Sequence, residues 1–329
     1  MQRILLVKTT SLGDVIHCLP AASDIAALYP QASIDWVVEE TYVDIVRLHA
    51  AVTRVLPVAV RRWRKSLFSR QTREEISAFR RSLAPAGYDR VIDLQGLAKS
   101  ALIARMAIGE RHGLDRASAR EWIAALTYHR RHAVSWSLDA VARNRTLVGD
   151  ALGYTPRGAP DYGIAAAPAG FDWLSAAPYC VCLSGTTDAA KLWPEDRWGE
   201  LGQHIRAAGM TCVLPAGTAA EQKRAERIAH AIGGNAVVAP ELDLRQLAGV
   251  LAGAALVIGV DTGLTHLGAA LGRPTVGIFC GTSPAATGVI ASRACNVGDV
   301  ARTPTPQAVW DAALALTGAA VLAATAVAL

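Results

Sequence analysis

The stretch RILLVKTTSLGDVIH, residues 3–17, contains the pattern that decides the fold. Its apolar run at 3–8 is rich in residues that favour extended structure and predicts a β-strand. A turn at 10–14 follows with one glycine, Gly13, and the sequence from Val15 to about Leu28 predicts a helix. A strand joined to a helix by a short turn is the repeating unit of a parallel α/β sheet.

The same strand-and-helix alternation continues on both sides of a segment rich in proline and glycine at 154–170. Strand-like runs lie at 33–38, 54–60 and 90–94 before it, and at 179–183, 210–214, 256–260 and 275–279 after it. We therefore predict an α/β protein of two Rossmann-like domains, 1–160 and 161–329, that face each other across a cleft. Ligands of such sheets bind beyond the carboxyl ends of the strands.

The charge of the chain is concentrated in its first half. The net charge is +5 over 329 residues, but residues 1–165 hold 23 Lys and Arg against 16 Asp and Glu, and the remainder holds 10 against 12. A basic excess of this kind indicates an anionic partner, which is a nucleic acid, a membrane surface or a phosphorylated ligand.

The last 18 residues, from Ala312 to Leu329, carry no charge. This length is enough to span a bilayer. Most of the residues are Ala, Gly or Thr, however, and these contribute little to membrane insertion. We expect an apolar C-terminal helix that packs on its own domain, with membrane contact as the alternative.

Asp14 follows Gly13 in the first strand-to-helix turn, where a carboxylate can act as a general base. Helix capping is the commoner use of Asp at such a position and stays open as the alternative. A dinucleotide site needs the GxGxxG pattern at this turn, and Gly13 is the only glycine present. The turn therefore argues against a nicotinamide-dependent oxidoreductase.

The loop SGTTDAAK, residues 184–191, follows the first strand of the second domain. The hydroxyls of Thr186 and Thr187, with the Lys191 charge, are suited to a pyrophosphate. The spacing is not that of a P-loop, and an ordinary connecting loop is the alternative.

The segment VDTGLTH, residues 260–266, predicts a buried strand, a tight turn and the start of a helix. A helix that begins after Thr262 and Gly263 would point free amides at a phosphate, and His266 would lie one turn further on. Asp261 can accept hydrogen bonds from sugar hydroxyls, and Glu221 from a ribose. A capped helix with a buried histidine, and a solvated glutamate, are the alternatives.

The block RRWRK, residues 61–65, places four cations in the basic half of the chain. Arginine guanidinium groups match phosphates and carboxylates in geometry, so Arg61, Arg62, Arg64 and Lys65 are candidates for binding an anionic acceptor. Lys99 and Arg120 can extend this patch, although a solvated charged surface is the usual role of such a run.

Together these motifs resemble the heptosyltransferases of lipopolysaccharide core assembly, glycosyltransferase family 9. The resemblance covers nearly the whole chain and is carried by LVKTTSLGDVIH at 6–17, DWVVEE at 35–40, RRWRK at 61–65, VIDLQGL at 91–97, KLWPE at 191–195 and VDTGLTH at 260–266. The RRWRK block favours the first of the two heptosyltransferase types over the second.

The resemblance implies a GT-B fold and a cytoplasmic enzyme that is peripheral on the inner face of the inner membrane. The implied donor is ADP-L-glycero-β-D-manno-heptose, and the implied acceptor is the Kdo of Kdo2-lipid A, an anionic glycolipid that accounts for the basic half without nucleic acid. The chain has no Asp-X-Asp triplet, the usual metal-binding motif of glycosyltransferases, so we expect neither a metal nor another cofactor.

The resemblance also assigns roles to residues. Asp14 would be the base of an inverting transfer. The donor would be held by Thr186, Thr187, Lys191, Glu221, Asp261, Thr262, Gly263 and His266. The acceptor anions would be bound by Arg61, Arg62, Arg64, Lys65 and Arg120, with Lys99 extending the patch.

Three other functions compete with this interpretation. A second type of heptosyltransferase or another GT-B nucleotide-sugar enzyme would share the donor motifs. An epimerase would need further acid and base groups, and only Asp14 is a strong candidate. A protein that only binds anionic glycolipids would keep the basic block but would not need the phosphate motifs at 184–191 and 260–266.

Overall fold

The computed structural model describes residues 2–83, 87–174 and 177–318. The chain divides into two compact units, Met1–Ile164 and a second that begins at Ala165. Each unit has its own hydrophobic core between a sheet and its helices. The first core includes Leu5, Trp63 and Phe79, and the second is built around Trp193 and Trp198.

The first unit contains six strands, seven α-helices and two short 3₁₀ helices among the residues described. Its strands are β1 (Arg3–Val7), β2 (Ser33–Glu39), β3 (Val52–Val58), β4 (Tyr88–Asp93), β5 (Gly109–Leu114) and β6 (Arg130–His132). Its helices are α1 (Leu12–Ile16), α2 (Leu19–Leu28), α3 (Val43–Arg47), α4 (Val60–Trp63), α5 (Arg70–Ser82), α6 (Ala98–Met106) and α7 (Ala140–Leu152), with 3₁₀ helices at Glu40–Tyr42 and Trp122–Thr127.

The second unit repeats this plan over the described residues from Ala165 to Gly318. Its strands are β7 (Tyr179–Leu183), β8 (Thr211–Leu214), β9 (Ala236–Val238), β10 (Leu256–Val260), β11 (Thr275–Ile278) and β12 (Ala294–Val297). Its helices are α8 (Glu195–Ala207), α9 (Ala219–Ile232), α10 (Leu244–Gly253), α11 (Gly263–Ala270), α12 (Pro284–Thr287) and α13 (Pro306–Thr317), with a 3₁₀ helix at Ala189–Lys191.

The two sheets have the same topology, and every strand pair in them is parallel. The orders are β3-β2-β1-β4-β5-β6 and β12-β11-β10-β7-β8-β9. This is the doubly wound order of the Rossmann fold in each unit. The strand order reverses between β1 and β4 in the first sheet and between β7 and β10 in the second, and ligands of this fold bind at such reversals.

The structure corrects one prediction about the first unit and adds two strands that were not predicted. The single helix predicted from Val15 to Leu28 is wrong, because the chain forms α1, ending at Ile16, and then α2 with Cys18 as its N-cap. Pro20 has no amide hydrogen and is tolerated only in the first turn of a helix, so a new helix begins there. Strands β5 and β6 were not predicted, since their sequences GERHGL and RRH lack an apolar pattern.

The C-terminal helix α13 packs on the core of the second unit. Val309, Trp310 and Ala313 are buried there, and Leu314 and Leu316 are partly buried against the same cluster. Within the described part of the chain, no helix is both long and apolar enough to cross a membrane. The rest of the predicted apolar tail, 319–329, lies outside the described residues.

We predict that Gly259→Ala destabilises the second unit. A Cβ at Gly259, in the buried strand β10, would overlap the Thr265 hydroxyl and approach the Cβ of Leu183 to 2.8 Å. Overpacking of this kind costs about 1–3 kcal/mol, so the urea midpoint of unfolding should fall. Gly170→Ala is the matched control, because a Cβ there meets nothing within 4 Å. Equal midpoints for the two variants would contradict this account of the packing.

Candidate active site

The candidate residues lie in loops or helices that follow the carboxyl ends of strands. Those after β1, β4, β7 and β10 flank the two reversals, whereas the basic block, Arg120 and Glu221 follow β3, β5 and β8. β1 pairs with β2 on one side and with β4 on the other, and β7 pairs in the same way with β8 and β10. After the two central strands of each sheet, the chain continues in opposite directions. The helices that follow these strands therefore diverge and leave the space between the two strand ends uncovered. Each unit therefore has its own candidate site.

Asp14 lies in the first turn of α1 and is 24 % exposed. Its Oδ2 accepts hydrogen bonds from the backbone N–H of Ser11, at 3.1 Å, and from the Ser11 hydroxyl, at 2.9 Å. The N-cap of this helix is Ser11, so Asp14 is not the capping residue itself. One carboxylate oxygen is thus held by the turn, which fixes the direction of the other.

The second oxygen of Asp14, Oδ1, faces two cations. It lies 3.9 Å from Nζ of the buried Lys8 and 3.5 Å from a guanidinium nitrogen of Arg120. Burial raises the pKa of Asp14, but the charges of Lys8 and Arg120 and the hydrogen bonds from Ser11 outweigh it. The pKa is therefore lowered from the ordinary 3.8, and the carboxylate is ionised at neutral pH.

The loop after β4 joins the turn that holds Asp14. The Gln95 side chain accepts from Thr9 N–H at 2.9 Å and donates to the Thr10 hydroxyl at 3.1 Å. Lys99 also donates to the Thr10 hydroxyl, at 3.0 Å. Burial lowers the pKa of Lys99, and the charges of Arg61 and Arg64 lower it further, against opposing effects of nearby carboxylates.

The basic block divides into residues with different environments. Arg61, Arg64 and Lys65 are exposed, and the first two share the electrostatic environment of Lys99. Arg62 is also exposed, but its guanidinium bonds to Glu40 at 3.1 Å and to Glu75 at 2.9 Å.

Trp63 of the same block is buried, and its ring N–H donates to Glu75 at 2.6 Å. Trp63 therefore belongs to the core of the first unit and anchors the basic block to it.

In the second unit, the loops after β7, β10 and β11 meet around Asp261. Lys191 Nζ lies 2.7 Å from Asp261 Oδ2, the Thr282 hydroxyl donates to the same oxygen at 2.7 Å, and His266 Nε2 lies 3.5 Å from Oδ1. Burial raises the pKa of Asp261, but hydrogen bonds from these three residues outweigh it and hold the pKa well below its usual range. Asp261 thus fixes the position of the Lys191 ammonium group.

Residues next to Lys191 and Asp261 along the chain supply hydroxyl groups and the first amides of a helix. Thr262 is the N-cap of α11, which begins at Gly263, and its side chain makes no capping hydrogen bond. The hydroxyls of Thr186 and Thr187, in the loop that carries Lys191, make no hydrogen bond with the residues the structure describes. The arrangement offers donors suited to an anion at the start of a helix.

Glu221 lies in the first turn of α9, beside the loops that follow β7 and β8. Its Oε2 accepts from the Gly217 N–H at 2.9 Å. A Cβ at Gly185 would lie 2.8 Å from its Oε1, so the Glu221 side chain packs directly against the backbone of Gly185. The carboxylate is therefore held beside the loop that carries Thr186 and Thr187.

The sequence analysis missed two residues of these sites. Thr282 donates to Asp261 from a loop 21 residues away, and nothing in its local sequence marks it. Lys8, within the motif at 6–17, is a buried cation that faces Asp14 and donates to the Leu94 carbonyl at 3.3 Å. A lysine directly after the buried apolar residues 4–7 was the available signal, because a buried ammonium group needs a partner.

Comparison with known proteins supports this interpretation of the motifs. The model of glycosyltransferase family 9 (heptosyltransferase) matches residues 76–314. Lipopolysaccharide heptosyltransferase 1 of Pseudomonas aeruginosa is 46% identical over 299 residues, which cover 90% of this chain and 83% of the relative.

Solved structures of a family member match the fold. The chain is similar to E. coli heptosyltransferase WaaC with ADP, with a TM-score of 0.86 and 41% identity, covering 94% of this chain and 98% of that one. The same enzyme with ADP-2-deoxy-2-fluoro heptose matches with a TM-score of 0.82, at the same identity and coverage.

These matches, with the two Rossmann-like sheets, confirm the predicted α/β class and the GT-B fold. They also confirm the resemblance drawn from the sequence motifs and support a glycosyltransferase over a non-enzymatic binding protein. The individual site assignments stay predictions. The chain belongs to glycosyltransferase family 9, the heptosyltransferases.

Proposed function

We propose that the protein transfers L-glycero-D-manno-heptose from ADP-heptose to the Kdo of Kdo2-lipid A with inversion at the anomeric carbon. The observation that carries the proposal is the Asp14 carboxylate, one oxygen of which is fixed by Ser11 while the other faces Lys8 and Arg120. Such a group accepts a proton and has cations beside it for an anionic acceptor. The identity to heptosyltransferase 1 of P. aeruginosa supports this choice of substrates.

The second unit suits an adenosine diphosphate sugar as donor. A related enzyme of 41% identity was solved with ADP and with ADP-2-deoxy-2-fluoro heptose. In this chain we assign the diphosphate to Lys191, to the hydroxyls of Thr186 and Thr187, and to the amides that follow Thr262 at the start of α11. Glu221 would bind the ribose, and the loop of Asp261 and His266 the sugar end of the donor.

The first unit suits the acceptor. Arg61, Arg64 and Lys65 are exposed and, with Lys99 and Arg120, offer cations to the carboxylates and phosphates of the acceptor. Arg62 stays in this predicted set. We expect a smaller contribution from it, because Glu40 and Glu75 already bind its guanidinium group.

In the proposed reaction, Asp14 Oδ1 takes the proton of an acceptor hydroxyl. The hydroxyl oxygen forms a bond to the anomeric carbon while the bond from that carbon to the β-phosphate oxygen breaks, and ADP leaves with the electron pair. Fixed donors that face the developing phosphate charge lower the barrier. An acceptor carboxylate that draws Arg120 away from Asp14 would raise the pKa of Asp14 and make it a stronger base.

The proposed acceptor sets the location of the enzyme. Its lipid part is embedded in a bilayer, so we propose that the protein works as a peripheral enzyme on the cytoplasmic face of the inner membrane. The basic excess of the first 165 residues supports contact with an anionic surface.

The decisive test is ADP release from ADP-heptose with de-acylated Kdo2-lipid A, with and without EDTA. We expect release that depends on the acceptor and persists in EDTA, because Lys191 and the amides of α11 can stabilise the departing diphosphate. Release that EDTA abolishes would overturn the metal-free mechanism. Donor binding without any release would overturn the choice of acceptor.

Asp14→Asn should lower kcat roughly 10²- to 10⁴-fold, the usual contribution of a general base. The amide keeps an oxygen that can accept from Ser11 but cannot take a proton, so the dissociation constant of ADP-heptose should stay unchanged. Steady-state kinetics and calorimetry measure the two quantities. Asp44→Asn is the control, since Asp44 pairs only with the exposed Arg47 in the described structure. Turnover of Asp14→Asn within tenfold of the wild type would exclude Asp14 as the base.

Lys191→Met should weaken ADP binding roughly 10- to 100-fold, because a hydrogen bond to a charged group contributes about 1.5–3 kcal/mol. Thr282→Val should weaken it less, since it removes only a donor that orients Asp261. Calorimetry with ADP gives both values. Lys223→Met, on the exposed side of α9, is the control. An unchanged affinity for Lys191→Met would remove this lysine from the donor site.

A further inference from the structure

Five large apolar side chains are exposed in one region of the first unit. They are each 48 to 57 % exposed and comprise Leu102 of α6, Trp122, Ile123 and Leu126 of the 3₁₀ helix at Trp122–Thr127, and Trp136. We call these residues the tryptophan surface. Scattered apolar residues are normal on a protein, but a cluster of this kind marks an interaction site.

The 3₁₀ helix has an inverted pattern of side-chain size. Its inward residues are Ala124 and Ala125, which are buried against Ala101 of α6 and Tyr128. Its bulky residues, Trp122, Ile123 and Leu126, are the exposed ones. A segment that served only the internal core would place the large side chains inside, because burial of apolar area stabilises the fold.

The two tryptophans belong to one continuous surface. Arg116 lies over the Trp122 ring at 5.8 Å, and the neighbouring Ala117 carbonyl accepts from the Trp136 ring N–H at 2.9 Å. Arg143 lies over the Trp136 ring at 3.7 Å. Residues 116–117 therefore connect the tryptophans, and each ring carries a guanidinium group on one face.

The surroundings of the tryptophan surface are positively charged. Residues 98–143 hold eight Lys and Arg against four Asp and Glu. All four acidic groups already have partners: Glu110 pairs with Arg90 and Arg130, and Asp115, Glu121 and Asp139 accept hydrogen bonds from backbone amides. Exposed tryptophans among arginines match the interface of an anionic bilayer, where aromatic rings sit at headgroup level and cations meet phosphates.

The tryptophan surface is also close to Asp14. The turn that begins with Asp115 and Arg116 continues to Arg120, whose guanidinium lies 3.5 Å from Asp14 Oδ1. The next residue, Glu121, fixes the turn by two hydrogen bonds. Its backbone N–H donates to the Gly96 carbonyl, and its carboxylate accepts from the Ala98 N–H at 2.7 Å. A bilayer that contacts Trp122 would therefore lie near the proposed base, because Trp122 follows shortly after Arg120 in the chain and Arg120 contacts Asp14.

We propose that the tryptophan surface docks the enzyme on a bilayer of anionic lipid. Trp122, Ile123 and Leu126 enter the headgroup region, and Arg116 binds lipid phosphates beside them. The choice of a membrane as the occupant rests on the proposed function, because a lipid-anchored acceptor must be reached where it is embedded. Docking at this surface holds the Asp14 site next to that acceptor.

Vesicle sedimentation tests the docking directly. The full chain is mixed with vesicles of phosphatidylethanolamine and phosphatidylglycerol, and with vesicles of phosphatidylcholine alone. We expect binding to the anionic vesicles, a loss of at least about tenfold for the double variant Trp122→Gln with Leu126→Gln, and a smaller loss for Arg116→Gln. Leu28→Gln, which alters an exposed leucine on α2, is the matched control and should bind like the wild type.

A second measurement separates docking from catalysis. The double variant should transfer to de-acylated, water-soluble acceptor with the wild-type kcat/KM, and should lose at least about tenfold only with acceptor embedded in anionic vesicles. If the wild type transfers to neither acceptor, the proposed function is overturned. The vesicle-binding comparison still tests the docking surface in that case. Vesicle binding unchanged in the double variant would overturn the docking surface. A wild-type dimer that the double variant loses, measured by sedimentation velocity, would assign the surface to a second copy and overturn it as well.

Discussion

In both sheets the chain leaves the two central strands in opposite directions, and the candidate sites depend on this constraint. Parallel strands need helical crossovers, and the crossovers are right-handed. The helices that follow β1 and β4, or β7 and β10, are therefore directed apart, and the loops between them have no helix above. Asp14, in the first turn of α1, and Asp261, directly after β10, each lie beside such a reversal and follow a buried central strand.

The two carboxylates have lowered pKa values for different reasons, and this difference separates their roles. Asp261 is nearly inaccessible, and its oxygens are bound by Lys191, Thr282 and His266. The Asp14 side chain stays partly exposed, and its Oδ1 faces the cations Lys8 and Arg120. A fully bonded carboxylate is suited to holding other groups in place. A carboxylate whose stabilising charges can be drawn to a ligand is suited to proton transfer.

The tryptophan surface belongs to a connection that has two roles. The short helix at Trp122–Thr127 uses alanines for its own packing and leaves its large side chains outside. The turn before it carries Arg120 to Asp14 and Arg116 to Trp122. One connection between β5 and β6 therefore serves both the chemistry and the proposed contact with the membrane. Charged edge strands such as β6 at the same time discourage pairing with another sheet.

The sequence by itself determined the α/β class, the repeated Rossmann plan, the family and most candidate residues, because these follow from short-range patterns. Strand-like runs, single glycines in turns and motifs such as VDTGLTH depend only on neighbouring residues. Only the tertiary structure decided that Trp63 is buried and that Thr282 completes the Asp261 cluster. The same holds for the alanine-inside pattern beneath Trp122. Each of these depends on contacts between residues distant in sequence, and local propensity carries no information about such contacts.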